Sequence, residues 1–353
     1  MKPFALVVAA VVMLSAIACQ GKSDATTSDP GASSTKPVTL HLAYFPNLTH
    51  AQPIVALARG TFADKLGANV TLDTKTFNAG PAEIEALFSG DIDIGYIGPN
   101  PTVNGYVKSR GEDVRVIAGA VSGGAQLIVR DAAEINQPAD FANKKIASPQ
   151  FGGTQDVALR AWLTANGLKA RQQGGNVTVL PSANADTLTL MRKGDIDAAW
   201  VPEPWSTRLV QEAGGKVFLD EKSLWPNGDW ITTNVIVRTA FLDKHPDVVE
   251  NFLRAHVETT QWIAAHPEEA KALVNKGIAD LTGGKALSTS VIDEAWRHIR
   301  VTNDPLASTL IKSAADAFAL GFLDKKPDLT KLYALGLLNN VLREQNLPEV
   351  QGD

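Results

Sequence analysis

The chain has 353 residues, 44% of them hydrophobic and 20% charged, and a formal net charge of −5. That length suits two lobes or domains, and the composition is that of a soluble globular protein. No basic patch stands in the running sequence, which argues against a nucleic-acid partner, because phosphate binding needs clustered Lys and Arg.

The first element is an export signal. Lys2 supplies a positive start and Phe4 to Ile17 an apolar run too short for a comfortable membrane span. Cys19, the single cysteine, follows Ala16-Ile17-Ala18. This end resembles a bacterial lipobox, although Ala16 stands where Leu or Val is usual. The expectation is a signal peptide over 1–19 with a lipidated Cys19, and so a membrane-anchored lipoprotein of the cell envelope. The alternative is a plain cleaved signal with an unmodified thiol. A lone cysteine allows no disulfide within the chain. Residues 20–37, rich in Ser, Thr, Gly, Asp and Pro, read as a flexible tether.

From Val38 short β-type runs alternate with helical patterns. The runs are Val38 to Tyr44, Asn69 to Phe77, Asp93 to Ile97, Val114 to Ala120, Lys145 to Ser148, Val177 to Leu180, Ala198 to Val201 and Thr232 to Val237. Pro81 to Phe88 and Thr154 to Leu168 carry apolar residues at three- and four-residue spacing between them. Such alternation predicts an α/β fold with mostly parallel sheets. After Phe241 the strands are expected to stop and a helical C-terminal part to follow. Its predicted helices are Val248 to Ala265, Pro267 to Gly277, Ser290 to Arg300, Leu306 to Leu320 and Leu329 to Asn346.

One internal echo stands out. Ser89-Gly90-Asp91-Ile92-Asp93 and Lys193-Gly194-Asp195-Ile196-Asp197 each follow a helical segment, and each leads into a short buried strand and a proline-bearing loop. GD turns commonly end helices, because glycine suits the left-handed position there. The shared register of turn, strand and loop goes further and predicts two similar lobes facing each other across a cleft at their strand ends.

Several segments carry a resemblance. They are Ala43 to Ala51, Ala58 to Phe62, Gly90 to Gly95 with Gly98-Pro99-Asn100-Pro101, Ser148 to Leu163, and Ala199-Trp200-Val201-Pro202-Glu203-Pro204-Trp205. In this order the chain resembles the type II periplasmic solute-binding proteins of the nitrate/sulfonate/taurine importer group. The resemblance implies two lobes joined by crossover strands near Ser122 to Gln126 and Asp229 to Thr233. Lobe 1 would be discontinuous, over 38–123 and 230–353, with lobe 2 over 124–229. It also implies a monomer without cofactor, with a small-molecule ligand and an ABC permease and its ATPase as partners. A relative in the wider superfamily makes a thiamine pyrimidine with a cysteine-rich motif, which a chain with Cys19 alone cannot carry.

Five loops form the expected site. Asn47 and Thr49 precede the first helix, where they can cap it or reach a ligand, and His50 beside them can hydrogen-bond a ligand or stand solvated at the helix start. Pro99 and Asn100 follow a buried strand, with Asn100 expected at the N-cap and Pro101 at the first helical position, a start that would favour an anion. Ser122 and Gln126 flank paired glycines that also suit a hinge. Gly152, Gly153 and Thr154 open an amphipathic helix and read as an oxyanion cradle. Glu203 and Trp205 close the set. Trp205 could pack on an apolar part of the ligand, and Glu203 is expected to pair with a protein donor or with an ammonium on the ligand. None of these loops holds Arg or Lys, so neutral amides and helix dipoles would hold a monoanion.

The expected function is binding, not catalysis: an importer component that captures an alkanesulfonate or taurine-like anion by lobe closure. Nitrate, bicarbonate or a thiamine-pyrimidine-like heterocycle are alternative ligands, and an enzyme or sensor on the same fold is the alternative role. The sequence has no GxSxG, Walker or GxGxxG motif. His41, His50, His245, His256, His266 and His298 are scattered, with no HExxH and no grouping with cysteine, which disfavours a zinc or iron site.

Overall fold

A computed structural model describes residues 37–352. The signal peptide, Cys19 and all but the last residue of the tether lie outside the described residues.

In the first half the chain runs β1 (Val38–Tyr44), α1 (Ala51–Arg59), α2 (Thr61–Leu66), β2 (Val70–Thr76), α3 (Gly80–Phe88), β3 (Ile94–Ile97), α4 (Pro99–Lys108) and β4 (Val114–Gly123). It continues with β5 (Ala125–Arg130), β6 (Lys145–Ser148), α5 (Thr154–Ala165), β7 (Thr178–Pro181), α6 (Asn184–Lys193), β8 (Ala198–Pro202), α7 (Trp205–Ala213) and β9 (Gly215–Asp220). Last come β10 (Ile231–Arg238), α8 (Thr239–Lys244), α9 (Pro246–Ala265), α10 (Pro267–Thr282), α11 (Thr289–Trp296), β11 (Ile299–Val301), α12 (Ala307–Ala319) and α13 (Gly336–Glu344).

Two sheets result, in the orders β11-β4-β10-β3-β1-β2 and β7-β6-β8-β5-β9. The first takes its strands from residues 38–123 and 231–301, the second from residues 125–220. The chain passes between them at Gly124, and returns through the 3₁₀ turns Glu221–Leu224 and Pro226–Gly228. Gly123 and Gly124 have φ of 85° and 78°, a region open to glycine at little cost. A Cβ at Gly123 would also lie 2.5 Å from the His298 carbonyl oxygen.

The central strands β3 and β8 are buried along their whole length, because helices cover both faces of each sheet. In the first sheet Tyr96, Phe62 and Phe252 pack on one face, and Ile84, Val103, Val116 and Leu310 on the other. In the second, Phe141, Trp162 and Trp200 oppose Leu188, Met191 and Leu209. Helix α9 buries Val248, Val249, Phe252, Leu253, His256, Thr260 and Ile263, a stripe at three- and four-residue spacing.

Three expectations need correction. The sheets are mixed, not mostly parallel: β1, β2 and β3 are parallel, as are β6, β7 and β8, but β10, β4, β5, β9 and β11 join antiparallel. Strands that cross between sheets enter against the local direction, and β5 and β9 are absent from the predicted strands. Strands do not stop at Phe241, because Ile299–Val301 pairs with the edge strand β4. Three residues are too few to show a period. The last helix starts at Gly336, not Leu329: Val116 N–H donates to the Leu332 carbonyl and Ala334 N–H to the Val116 carbonyl. That ladder takes the backbone groups a helix would need.

Candidate functional site

The six parallel strands send their carboxyl ends to one gap between the sheets, where an open α/β sheet places its ligands. After β1 come Phe45, Asn47, Thr49 and His50; after β2, Asn78, Ala79 and Gly80; after β3, Gly98 and Pro101. Facing them are Pro149, Gly153, Thr154 and Gln155 after β6, Asn184 after β7, and Pro202 after β8. Thr232 and Thr233 of β10 complete the wall. The gap keeps a cavity of about 40 Å³ open to the centres of water-sized molecules, room for about three waters.

The lobes touch around this cavity. Trp205 Nε1–H donates to Asn47 Oδ1 at 2.9 Å, and Leu48 N–H to the Glu203 carbonyl at 3.1 Å. His298 Nδ1 lies 2.5 Å from Glu203 Oε1. The Glu203 carboxylate is fully buried and also accepts from Thr207 N–H and Thr207 Oγ1–H. The hydrogen bond from His298 to this carboxylate raises the pKa of His298 above the usual value, against the opposing effect of burial.

Among the described residues, no Asp, Glu, Lys or Arg lines the cavity. His50 adds no charge, because burial lowers its pKa to about 3. Its Nδ1 accepts from Phe45 N–H at 3.3 Å, which places the ring proton on Nε2. Helices α3, α5 and α6 all begin at the cavity with uncapped first turns. Their first amides have no helical acceptor and carry the positive end of the helix dipole. Thr154 Oγ1 and Asn184 Oδ1 are buried without a partner among the described residues. The wall therefore offers helix-start amides, a free hydroxyl and helix dipoles to a small solute, beside one unpartnered amide oxygen, and no counter-charge among the described residues.

A family description, the NMT1-like family, matches residues 33–279, well over half of the chain. The chain belongs to the NMT1-like family. It is 32% identical over 224 residues to the taurine-binding periplasmic protein of Escherichia coli K12, a match spanning 62% of this chain and 66% of that protein, just under two thirds. Its fold is that of periplasmic binding proteins. The alkanesulfonate-binding protein SsuA of Xanthomonas axonopodis pv. citri, bound to MOPS, superposes with a TM-score of 0.71 at 18% identity, over 86% of this chain and all of that one. The periplasmic nitrate-binding protein NrtA of Synechocystis PCC 6803 superposes at 0.73 and 18% identity, over 88% and 90%.

Of the residues predicted for the site of this family member, the structure brings Asn47, Thr49, His50, Gly153 and Thr154 together at the cavity. The others are placed elsewhere. Helix α4 starts one residue earlier than expected, with Gly98 at the N-cap and Pro99 first. Asn100 is not the N-cap; its Nδ2 donates to the Ser313 carbonyl at 3.1 Å. Pro99 and Pro101 have no N–H, so this helix start makes a poor anion cradle. Ser122 Oγ–H donates to Asp229 and accepts from Trp230 N–H, which ties the two crossovers to each other. Gln126 is buried within the second sheet. Gly152 N–H donates to Asp156, whose carboxylate also binds Ser148 and Arg160. Trp205 does not line the cavity: its N–H serves Asn47 and the Arg208 guanidinium lies 4.8 Å from its ring centre.

Among the lining residues that the sequence reasoning missed, Asn78, Ala79, Gly80 and Asn184 belong to two loops that it left out entirely. A signal was present. Phe77-Asn78-Ala79-Gly80-Pro81 and Ser182-Ala183-Asn184 occupy equivalent strand-to-helix junctions of the two lobes. Extending the internal echo from the third strand of each lobe to the second would have found both.

Proposed function

We propose that the protein captures a small monoanion, in the first place an organosulfonate, by closure of its two lobes, and delivers it to the permease of an ABC importer. The carrying observation is a cavity between two sheets walled by helix starts and uncharged polar groups, with no charged side chain among the described residues that line it. Such a wall repays the lost hydration of a weakly hydrated anion, and leaves a second ligand charge without a partner. The E. coli relative is a taurine-binding protein, which supports the sulfonate class and an exported, periplasmic setting. Glu203 draws its donors from Thr207 and His298, so it gives no reason to expect an ammonium on the ligand. We assign no catalytic step to the site. Lipidation at Cys19 would hold the protein at the membrane, and the site needs no second copy of the chain.

The test is calorimetry and thermal shift on the chain from Ser23 onward, with ethanesulfonate, taurine, nitrate, bicarbonate and a thiamine pyrimidine. A ligand at about a hundred times its Kd stabilises by about 3 kcal/mol. Silence from every anion, with a shift from the neutral heterocycle, sinks the reading. The small cavity favours one second reading, an inorganic oxyanion, which a nitrate or bicarbonate shift without a sulfonate shift would select.

A further inference from the structure

Three kinds of cleft group could present either a donor or an acceptor to a ligand: a side-chain amide, an imidazole and a hydroxyl. For two of them the partner settles the choice. The Phe45 amide can only donate, so His50 Nδ1 accepts and Nε2–H is the group left over. An indole N–H can also only donate. Trp205 Nε1–H reaches Asn47 Oδ1 at 2.9 Å, and Asn47 is left with its NH2 for the cavity that it lines.

The two settings differ in origin. Phe45 and His50 belong to the same loop, so His50 is set whether the cleft is open or shut. Asn47 lies after β1 and Trp205 at the start of α7, on opposite lobes. Their bond exists only when the lobes meet. The backbone bond from Leu48 N–H to the Glu203 carbonyl, beside it, belongs to the same contact.

We infer that Trp205 is a positioning residue that sets the polarity of the ligand site: by donating across the cleft to Asn47 Oδ1 it turns the Asn47 NH2 to the cavity, so that the donor set for an anion is complete only in the closed form. This deepens the proposed function and rests on it. In the open form the Asn47 amide is free to turn and to present its oxygen, which an anion avoids. Closure thus discriminates as well as traps. Trp205 does this without touching the ligand, and that explains an aromatic ring packed under Arg208 beside the cavity instead of within it.

The test is a double-mutant cycle read by calorimetry with ethanesulfonate as the probe. Trp205→Phe keeps the ring and deletes the N–H. It is expected to weaken binding about tenfold in the natural background, the size of one lost charge-assisted bond. In an Asn47→Ala background the same change is expected to cost less than about twofold. A Trp205→Phe loss that is undiminished without Asn47 overturns the inference, because it would mean that Trp205 acts through packing alone. Asn47→Asp is the second variant and guards against misfolding of the first. Its carboxylate still accepts from Trp205 but offers no donor, so sulfonate binding should fall at least about a hundredfold with the melting transition retained. Binding like that of the natural protein would overturn the inference. If the natural protein binds no anion at all, the functional reading fails first. If it binds sulfonate and the cycle is additive, only the role of Trp205 fails.

Discussion

Asp93 and Asp197, the last residues of the two GDID turns, make matching bonds in the two lobes, to which Asp93 adds one with His41 Nδ1 at 2.8 Å. Asp93 N–H donates to the His41 carbonyl, and the Asp93 carboxylate accepts from His41 N–H and from Arg238 Nη2. Asp197 N–H donates to the Lys145 carbonyl, and its carboxylate accepts from Lys145 N–H and from Arg130 Nη2. The arginine backbones donate in turn to the Asp93 and Asp197 carbonyls. Each aspartate thereby clamps three neighbouring strands at the end away from the cleft, and leaves the other end free to present loops.

The clamps should differ in worth. The Asp93 side chain is 4% exposed and that of Asp197 is 20% exposed. Asp93→Ala strands a buried amide and an arginine, and should cost about 3 kcal/mol; Asp197→Ala, where water can enter, should cost about 1 kcal/mol. Urea unfolding checks the order. Equal losses would show that exposure does not govern the clamp.

The clamp shows what the sequence could and could not reveal. The GDID echo was visible because turn, strand and loop repeat in register along the chain. Its arginines were not, since Arg238 lies 145 residues from Asp93, and only strand pairing brings them together. Asn47, Thr49, His50, Gly153 and Thr154 could be named because strand-to-helix loops have local signals in Pro, Gly and polar residues. Whether such a loop residue faces the ligand or a neighbouring strand is a tertiary fact. Thus Asn100 and Ser122 were taken by the Ser313 carbonyl and Asp229. Trp205 was named for its ring, while its N–H is what the fold uses.

Gly98 allows the lobes to meet. Its φ is −74°, open to any residue, yet a Cβ there would collide with Thr154 Oγ1 on the opposing lobe. Gly98→Ala should therefore fold normally, weaken sulfonate binding at least about tenfold, and keep an open radius of gyration in X-ray scattering with ligand present. Pairing it with Thr154→Ala should restore part of the affinity. A closed, tight-binding Gly98→Ala protein would contradict the contact.

Binding should weaken on the alkaline side, and His298 should be the cause. Glu203, with Asp220 and Glu294 nearby, raises the His298 pKa above its ordinary value near 6.5 when the lobes are closed. The closed form then holds the proton more tightly than a form in which Glu203 has moved away. Its extra stability is full below about pH 6.5 and is lost as the pH rises through the raised value. His50 stays neutral in the closed form across this range, because burial lowers its pKa to about 3. Calorimetry from pH 5.5 to 9 checks the slope, and His298→Asn should flatten it. A slope that survives His298→Asn would move the effect to another group.

Asn184 separates folding from binding. It is the first residue of α6, lines the cavity and keeps Oδ1 unpartnered among the described residues. Asn184→Asp places a negative charge where helix-end amides and the α6 dipole favour one, which offsets the cost of its burial. The free protein should keep its unfolding free energy to within about 1 kcal/mol. The same charge faces the anion across a small cavity with no cation among the described residues of its wall, and at about 4 Å and an effective dielectric constant of about 20 the repulsion is about 4 kcal/mol. Sulfonate binding should therefore fall at least about a hundredfold, so that the ligand-induced thermal shift disappears while the ligand-free melting curve stays in place. An Asn184→Asp protein that still binds sulfonate would place the anion away from α6, and leave the α5 start as the sole cradle in the second lobe.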